Sequence, residues 1–300
     1  MAIRIGIDKK NSVESLILNS MKTTGDHFKR PNLYGASAGG CQRENFLSAQ
    51  ENPLDGQSSI TTAQSYFYME IGNGIEDAII GGLDRAEKLF GDNVYLPESF
   101  PLVRGKIDII FLDDSGEICL GEIKSCGKLP SEPKSGHLAQ ATTYASISGN
   151  DNVYIIYVSR NVLQTDGSVA IKAFKIDTSF ETLKKNMQII TESGLAIKNG
   201  HIPGIPSHMS KSKCHYCPYF EKYCWGENAS DGNYIRTPDD KSDESVIELN
   251  STLQKMIEER PLRFLSHLKN LRTQERVIKS QYLSSVLEEK ISQLGGSSNE

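Results

Sequence analysis

The chain has 300 residues, of which 38% are hydrophobic and 24% charged, and its formal net charge is -5 at pH 7. This composition predicts a soluble globular protein with one main core, and the negative charge argues against a protein that coats nucleic acid. A local basic groove stays compatible with it, because binding depends on how charge is distributed. The sequence shows no signal peptide and no membrane span, so we expect a cytoplasmic protein (host cytoplasm for a viral one) without a membrane partner.

The hydrophobic pattern predicts an α/β protein with a mixed sheet and helical ends. In chain order, the predicted elements are a helix at 41–47, a helix at 61–90, strands at 104–112 and 117–124, a helix at 136–148, strands at 152–159 and 169–176, and a helix of about five turns from Ser179. The two strands at 104–124 are joined by Asp113-Asp114-Ser115-Gly116, which has turn composition, so they are predicted to form a hairpin.

Four regions follow from this order of elements. Residues 1–60 form an N-terminal helical segment, 61–200 the α/β core, 201–230 a cysteine-rich segment, and 231–300 a polar linker with a helical tail. We expect the apolar side of the tail to pack on the body of the protein. The alternative is that this C-terminal helix binds a protein partner.

Two acidic residues and a lysine lie on the predicted hairpin. Glu122 and Lys124 are two residues apart on one strand, so their side chains share one face of the sheet. The hairpin can bring Asp108 beside them. Two carboxylates suit Mg²⁺, which polarises a phosphoryl oxygen and lowers the pKa of an attacking water. Lys124 would position that water and neutralise developing charge, so the three residues predict a phosphodiester-cleaving site.

The alternative is that these side chains lie on the solvent face of an exposed hairpin. Two details favour a site instead. Both strands are too apolar for an exposed ribbon, and Gly105 and Gly121 precede the acidic residues, which would allow a ligand backbone to approach closely. On the next helix, Gln140 and Tyr144 are four residues apart and share one face, where an amide and an aromatic ring suit a sugar-phosphate contact and base stacking. The alternative for this pair is that the helix packs on the sheet through Tyr144 and that Gln140 is an ordinary polar residue.

These residues resemble the motifs of the RecB-like branch of the PD-(D/E)xK nucleases over roughly a quarter of the chain. Gly105-x-x-Asp108, Glu122-x-Lys124 and Gln140-x-x-x-Tyr144 occur in the order and spacing of that branch. Upstream, Gly72-Asn73-Gly74-Ile75-Glu76 resembles its first motif, with Glu76 at a position where RecB-like members usually have histidine. Asp77 and Glu70 are alternatives to Glu76.

The resemblance implies a restriction-endonuclease-like core in which a mixed central sheet is flanked by helices. It implies that Lys124, Glu122 and Asp108 are catalytic. It also implies that Mg²⁺ or Mn²⁺ binds to Glu76, Asp108, Glu122 and the Ile123 carbonyl, and that Gln140 and Tyr144 contact DNA.

Three cysteines near the C-terminal end of the core have the spacing of metal ligands, Cys214-x2-Cys217-x6-Cys224. They need a fourth ligand, for which Cys41 is the best candidate because Cys119 and Cys126 flank the catalytic strand. Four thiolates fit Zn²⁺ or an iron–sulfur cluster, and His215 could replace Cys41 in a zinc site.

The cysteine layout is similar to that of AddB-type nucleases and of the CRISPR-associated iron–sulfur exonucleases, which have one cysteine before the core and three after it. This resemblance implies a [4Fe–4S] cluster on Cys41, Cys214, Cys217 and Cys224, in a cysteine-ligated helical subdomain.

The expected activity is therefore that of a metal-dependent DNA exonuclease that prefers single-stranded ends. It would process DNA ends in replication, recombination or repair, in a cell or a virus. The alternatives are trimming of new spacer DNA in CRISPR adaptation, a restriction-type endonuclease, and a non-catalytic scaffold that binds DNA ends.

Overall fold

The structure is a computed structural model. It describes residues 23–25, 33–34, 41–49, 59–61, 63–95, 103–163, 169–199, 202–204, 217, 219, 224, 264–269 and 281–296. Cys214, His215 and the predicted polar linker therefore lie outside the described residues. Within the described part, no helix has both the length and the hydropathy needed to cross a membrane.

The described elements include both helices and strands. In chain order they are β1 (Thr23–Gly25), β2 (Leu33–Tyr34), α1 (Gln42–Ala49), β3 (Ser59–Thr61), α2 (Ala63–Arg85), β4 (Leu89–Tyr95), β5 (Val103–Arg104), β6 (Lys106–Leu112), β7 (Ile118–Cys126), α3 (Ser135–Ser148), β8 (Val153–Leu163), β9 (Val169–Lys175), α4 (Phe180–Asn199), α5 (264–269) and α6 (Gln281–Gly296).

A five-stranded sheet in the order β4-β6-β7-β8-β9 forms the centre of the fold. β7 and β8 are parallel and are connected through α3, whereas the other neighbouring pairs are antiparallel. The predicted hairpin is the β6–β7 pair, and β7 is the middle strand of the sheet. The expected α/β fold with a mixed sheet flanked by helices is confirmed, and this arrangement is compatible with a restriction-endonuclease-like core.

The two faces of the sheet are covered by different helices. On one face, α2 packs through Ile75, Ile79, Ile80 and Leu83 against β6, β7 and β8. On the other face, α3 and α4 close the main core, together with apolar side chains of α5 and α6: Phe264, Leu265, Leu268, Leu283 and Leu287. The described part of the C-terminal tail therefore packs on the body, as expected. The four-region division of the chain stays a prediction.

The predicted helix at 61–90 was too long, and a strand was missed. α2 ends at Arg85, while Leu89 and Phe90 belong to the edge strand β4. The turn-like composition of Gly91-Asp92-Asn93 hides this strand in the sequence. Asn93 has a positive φ of 51°, and the pairing with β6 changes register between Leu89 and Gly91, so β4 is an irregular strand.

Gly121 has a packing role, and the expected role in admitting a ligand backbone was wrong. It pairs with Ile109 across the β6–β7 ladder. A Cβ at this position would lie 2.6 Å from Cγ1 and 2.8 Å from Cδ1 of Ile109, and 3.1 Å from Cδ1 of Ile156. Glycine is therefore needed so that two isoleucines can meet over the middle strand beneath α2.

Candidate active site

Asp108, Glu122 and Lys124 lie together on β6 and β7, as the hairpin predicted. The Lys124 ammonium lies 2.5 Å from Oε1 of Glu122. The backbone N–H of Ile123 donates a hydrogen bond of 2.7 Å to Oδ2 of Asp108, which holds that carboxylate against β7. Glu122 is only 2% exposed, whereas the Lys124 side chain is partly open to solvent.

Helix α3 completes the surroundings of Glu122. Nε2 of Gln140 donates to Oε1 of Glu122 at 2.7 Å and to the Tyr144 hydroxyl at 2.9 Å. The Tyr144 hydroxyl in turn donates to the Lys106 carbonyl at 2.9 Å. Because Gln140 and Tyr144 are four residues apart, one face of the helix presents both groups to the sheet. Glu122 is thus held by a chain of hydrogen bonds that links α3 to β6 and β7.

Burial shapes the charge state of the two carboxyls. Burial raises the pKa of Glu122 well above the usual carboxyl range, and the charge of Asp108 raises it further, while Lys124 opposes the rise. Burial also raises the pKa of Asp108, although its hydrogen bond from Ile123 lowers it and the charge of Glu76 raises it again. A positive ion between these groups would relieve both the desolvation and the mutual repulsion.

Glu76 faces this cluster from α2. It is half-buried, and its charge raises the pKa of both Asp108 and Glu122. Its Oε1 accepts a hydrogen bond of 3.1 Å from Nδ2 of Asn93 on β4. The alternatives considered for its role, Glu70 and Asp77, are exposed on the surface of α2.

One oxygen of the cluster has no partner. Oε2 of Glu122 is buried and accepts no hydrogen bond. A buried carboxylate oxygen without a donor is costly, and a cation is one group that satisfies it. Within the described residues, no group of three or more His, Cys, Asp or Glu side chains has the geometry of a metal site.

The burial of Tyr144 corrects one expectation. Its ring is 2% exposed and belongs to the main core, so it offers no free face on which a base could stack. Its hydroxyl is engaged with Gln140 and Lys106, which makes Tyr144 a positioning residue for Glu122. Gln140 is also buried, and its amide nitrogen is directed at Glu122.

His137 lies one turn before Gln140 on α3. Its Nδ1 is 2.8 Å from the hydroxyl of Tyr157, and that hydroxyl also accepts the backbone N–H of Lys134 at 3.0 Å. Nδ1 of His137 can accept the Tyr157 hydroxyl proton, and in that arrangement the ring proton lies on Nε2. Burial lowers the pKa of His137 to about 4, and the nearby Lys124 and Lys134 charges lower it further. His137 is thus neutral near Lys124.

The described cysteines of the predicted cluster lie near one another. Cys41 directly precedes α1, Cys217 packs beside Phe46 and Leu47 of that helix, and Cys224 is buried. Burial raises the pKa of Cys217 to about 12, and charge on Cys224 and Cys41 would raise it further. Burial likewise raises the pKa of Cys41, with Cys224 again contributing. Among the described residues, no disulfide involves Cys41, Cys217 or Cys224.

Two contributors to the site were missed by sequence reasoning. Asn93 was missed because strand β4 was not predicted. Its signal in the sequence was that an asparagine in a short turn-like segment tolerates a positive φ. Tyr157 was assigned only to a buried strand. Tyr157 is two residues after Ile155 on the strand, so both side chains lie on the face of the sheet that α3 covers. A tyrosine on a buried face needs a hydrogen-bond partner for its hydroxyl, and this was the signal in the sequence.

Comparisons with known proteins do not identify a function for this chain, so the functional assignment rests on the geometry of the site. No protein-family profile matches the chain, and no curated protein matches its sequence. Among solved structures, the chain is similar to SSO0001, with 12% identity and a TM-score of 0.40 over 70% of this chain and 95% of that chain. It is also similar to a protein of Eubacterium rectale provisionally assigned as an exonuclease, with 11% identity and a TM-score of 0.33 over 72% and 94% of the two chains.

Proposed function

We propose that this chain is a metal-dependent DNA exonuclease of the RecB-like type that prefers single-stranded ends. The observation that carries the proposal is the Glu122 carboxylate. It is buried, one of its oxygens is held by Lys124 and Gln140, and the other has no partner. Asp108 and Glu76 add negative charge around it. Such a group of carboxylate oxygens fits a hard divalent cation.

The residues of the site have distinct roles in this proposal. Glu76, Asp108 and Glu122, with the Ile123 carbonyl, would hold Mg²⁺ or Mn²⁺, which when bound polarises a phosphoryl oxygen and lowers the pKa of water. The Lys124 ammonium, fixed beside Glu122, orients the attacking water and stabilises negative charge on the phosphate. Gln140 and Tyr144 keep Glu122 in place, and in this proposal Gln140 would also contact the sugar-phosphate backbone.

The test uses the purified full-length chain with linear and circular DNA, in single- and double-stranded form, and with Mg²⁺ or Mn²⁺. We expect linear single strands to be degraded from their ends. Lys124→Ala and Asp108→Asn should each reduce the rate at least about a hundredfold, which is typical of losing an acid–base or electrostatic group. Lys88→Ala is the matched control, because Lys88 pairs with Asp114 at the surface.

The outcomes separate the alternatives. Cutting of circular double-stranded DNA would indicate a restriction-type endonuclease. DNA binding without any turnover would select a binding scaffold. Cleavage that survives Lys124→Ala would contradict the assignment of this site.

We also propose a [4Fe–4S] cluster on Cys41, Cys214, Cys217 and Cys224, with Zn²⁺ as the alternative. The proximity of Cys41, Cys217 and Cys224 and an all-thiol donor set support it. Protein purified without oxygen should be brown, with a broad band near ~400 nm and with bound iron and sulfide. Cys224→Ser should lose the band and Cys119→Ala should keep it. Colourless protein that contains zinc would select the alternative.

A further inference from the structure

The N-terminal half of α2 carries large apolar side chains that are exposed to solvent. Phe67, Tyr68 and Met69 are 52%, 42% and 54% exposed. Among the described residues, the apolar side chains through which α2 packs on the sheet begin at Ile75. Consecutive residues of a helix point about 100° apart, so a single packing surface could not cover all three. Large exposed apolar patches of this kind mark binding surfaces.

An arginine is stacked on this patch. Arg160 lies at the far end of β8, and its guanidinium is 4.2 Å from the centre of the Tyr68 ring. Within the described part of the chain, no carboxylate pairs with it. A guanidinium on an aromatic ring keeps its N–H donors in the plane free, and these suit a phosphate.

Helix α2 connects the exposed patch to the candidate active site. Gly72 lies next to Ser125, whose Oγ would be 3.4 Å from a Cβ on Gly72, and Ser125 directly follows Lys124 on β7. Tyr68 is one turn before Gly72, and Glu76 is one turn after it. Tyr68 and Glu76 are therefore about 12 Å apart along the helix axis, a distance that a strand of a few nucleotides spans.

We propose that Phe67, Tyr68, Met69 and Arg160, here called the α2 platform, form a subsite for single-stranded DNA beside the candidate active site. This inference rests on the proposed nuclease function. Unpaired bases have free faces that stack on exposed aromatic rings, and the guanidinium binds a phosphate of the same strand. The platform supplies the stacking surface that the buried Tyr144 does not.

The charge and the position of the platform select this occupant. A protein partner would have to bury the guanidinium of Arg160, which is costly unless that partner brings a carboxylate. A nucleic acid brings phosphates and flat apolar bases together, which matches an arginine beside Phe67 and Tyr68. A DNA strand that binds at the platform could follow the surface of α2 to the cluster of Lys124 and Glu122.

The test measures binding separately from cleavage. A labelled oligothymidine of about 12 nucleotides is titrated with the full-length chain in a chelator, so that no turnover occurs. Tyr68→Leu and Arg160→Gln should each weaken binding about tenfold, and Tyr68→Phe should bind within about twofold of the wild type because the ring is kept. Arg160→Gln should also reduce the salt dependence by about 0.7 in the slope of log affinity against log salt.

Matched controls lie elsewhere on the surface. Tyr282→Leu removes an even more exposed tyrosine from α6, and Arg85→Gln removes an exposed arginine from the far end of α2. Both should bind as the wild type does.

Wild-type affinity in Tyr68→Leu and Arg160→Gln would overturn the platform. So would a wild-type dimer that Tyr68→Leu converts to a monomer, because the patch would then join two copies of the chain. Platform-dependent binding without any cleavage would uphold the subsite and contradict the nuclease, so the two failures are distinguishable.

Discussion

Gln140 donates a hydrogen bond of 2.7 Å to Oε1 of Glu122 and thereby joins helix α3 to the middle strand of the sheet. Lys124 contacts the same oxygen. Because both partners hold Oε1, the orientation of the carboxylate is fixed and Oε2 is left without a partner. The helix therefore determines which oxygen of Glu122 is available to a ligand.

Replacing Gln140 by leucine should destabilise the protein while keeping the volume of the side chain. The variant leaves Oε1 of Glu122 with Lys124 alone and removes the donor to the Tyr144 hydroxyl, so we expect a loss of about 1–3 kcal/mol in the free energy of unfolding by urea. Gln188→Leu on α4 is the control and should change stability by less than about 0.5 kcal/mol, since its one side-chain hydrogen bond to another described residue is a partly exposed bond to Glu192. Equal effects of the two changes would contradict the role of Gln140.

The metal-free protein should lose stability as the pH rises from about 5 through neutrality. The folded state raises the pKa of Glu122 and of Asp108 above their ordinary values, mainly by burial, so it binds their protons more tightly than the unfolded chain does. Stability from these groups is therefore full at low pH and is lost as they ionise. Urea midpoints at several pH values in a chelator measure it.

Glu122→Gln is the control for this pH dependence and should reduce it to the part that comes from Asp108. Saturating Mg²⁺ should restore the stability at pH 8, because it binds the ionised form. A midpoint that rises from pH 5 to pH 8 by the same amount in both proteins would contradict the assignment.

His137 should produce the opposite dependence at acid pH. Its pKa is lowered to about 4, so the unfolded chain takes up a proton near pH 6.5 while the folded protein does not. Stability from the neutral ring is therefore present above pH 6.5 and is lost as the pH falls through about 4. Nitrogen NMR of the imidazole measures this directly and should find a neutral ring with the proton on Nε2 at pH 6.

Tyr157→Phe removes the hydroxyl that faces His137 and Lys134. The variant should destabilise the protein by about 1–2 kcal/mol, because the Lys134 N–H loses its acceptor. An Nδ1-protonated or a charged His137 in the wild type at pH 6 would refute this arrangement.

Gly121→Ala should destabilise the protein by about 1–3 kcal/mol, because the new methyl group overlaps Ile109. Adding Ile109→Val, which removes the Cδ1 atom, should recover part of the loss. Gly74→Ala is the matched control: apart from its chain neighbours and the backbone of its own helix, no described atom lies within 4 Å of its Cβ position in α2, so alanine should stabilise the helix by about 0.5–1 kcal/mol. Thermal and urea unfolding of the three variants test the contact between positions 121 and 109. An unchanged stability of Gly121→Ala would contradict this role, because it would show that the neighbouring isoleucines can move apart to accept a methyl group.

The sequence was sufficient for the elements whose pattern is periodic and local. The β6–β7 hairpin, α3 and β8 follow from alternation and from helical spacing, and the proximity of Asp108 to Glu122 follows from the hairpin. β4 could not be predicted in this way, because its residues pair with β6 through an irregular ladder and have turn composition.

The solvent exposure of individual aromatic side chains could not be predicted from the sequence. Tyr144 and Tyr68 both lie on helices beside apolar residues, and only the tertiary packing buries one in the core and leaves the other open. A run such as Tyr66-Phe67-Tyr68-Met69 does contain a usable signal, since four consecutive large apolar residues exceed what one buried helix face can hold.

The position of Glu122 and Lys124 on the middle strand has a consequence for how the site responds to solvent. β7 is bonded on one side to β6 and on the other to β8, so its amides can open only when the sheet itself comes apart. Amide hydrogens of Ile123 and its neighbours should therefore be among the slowest in the protein to exchange with deuterium, whereas those of edge strands β4 and β9 exchange sooner. Glu122 is thus carried by a rigid strand, and we expect that a metal ion at the proposed site would exchange without any part of that strand unfolding.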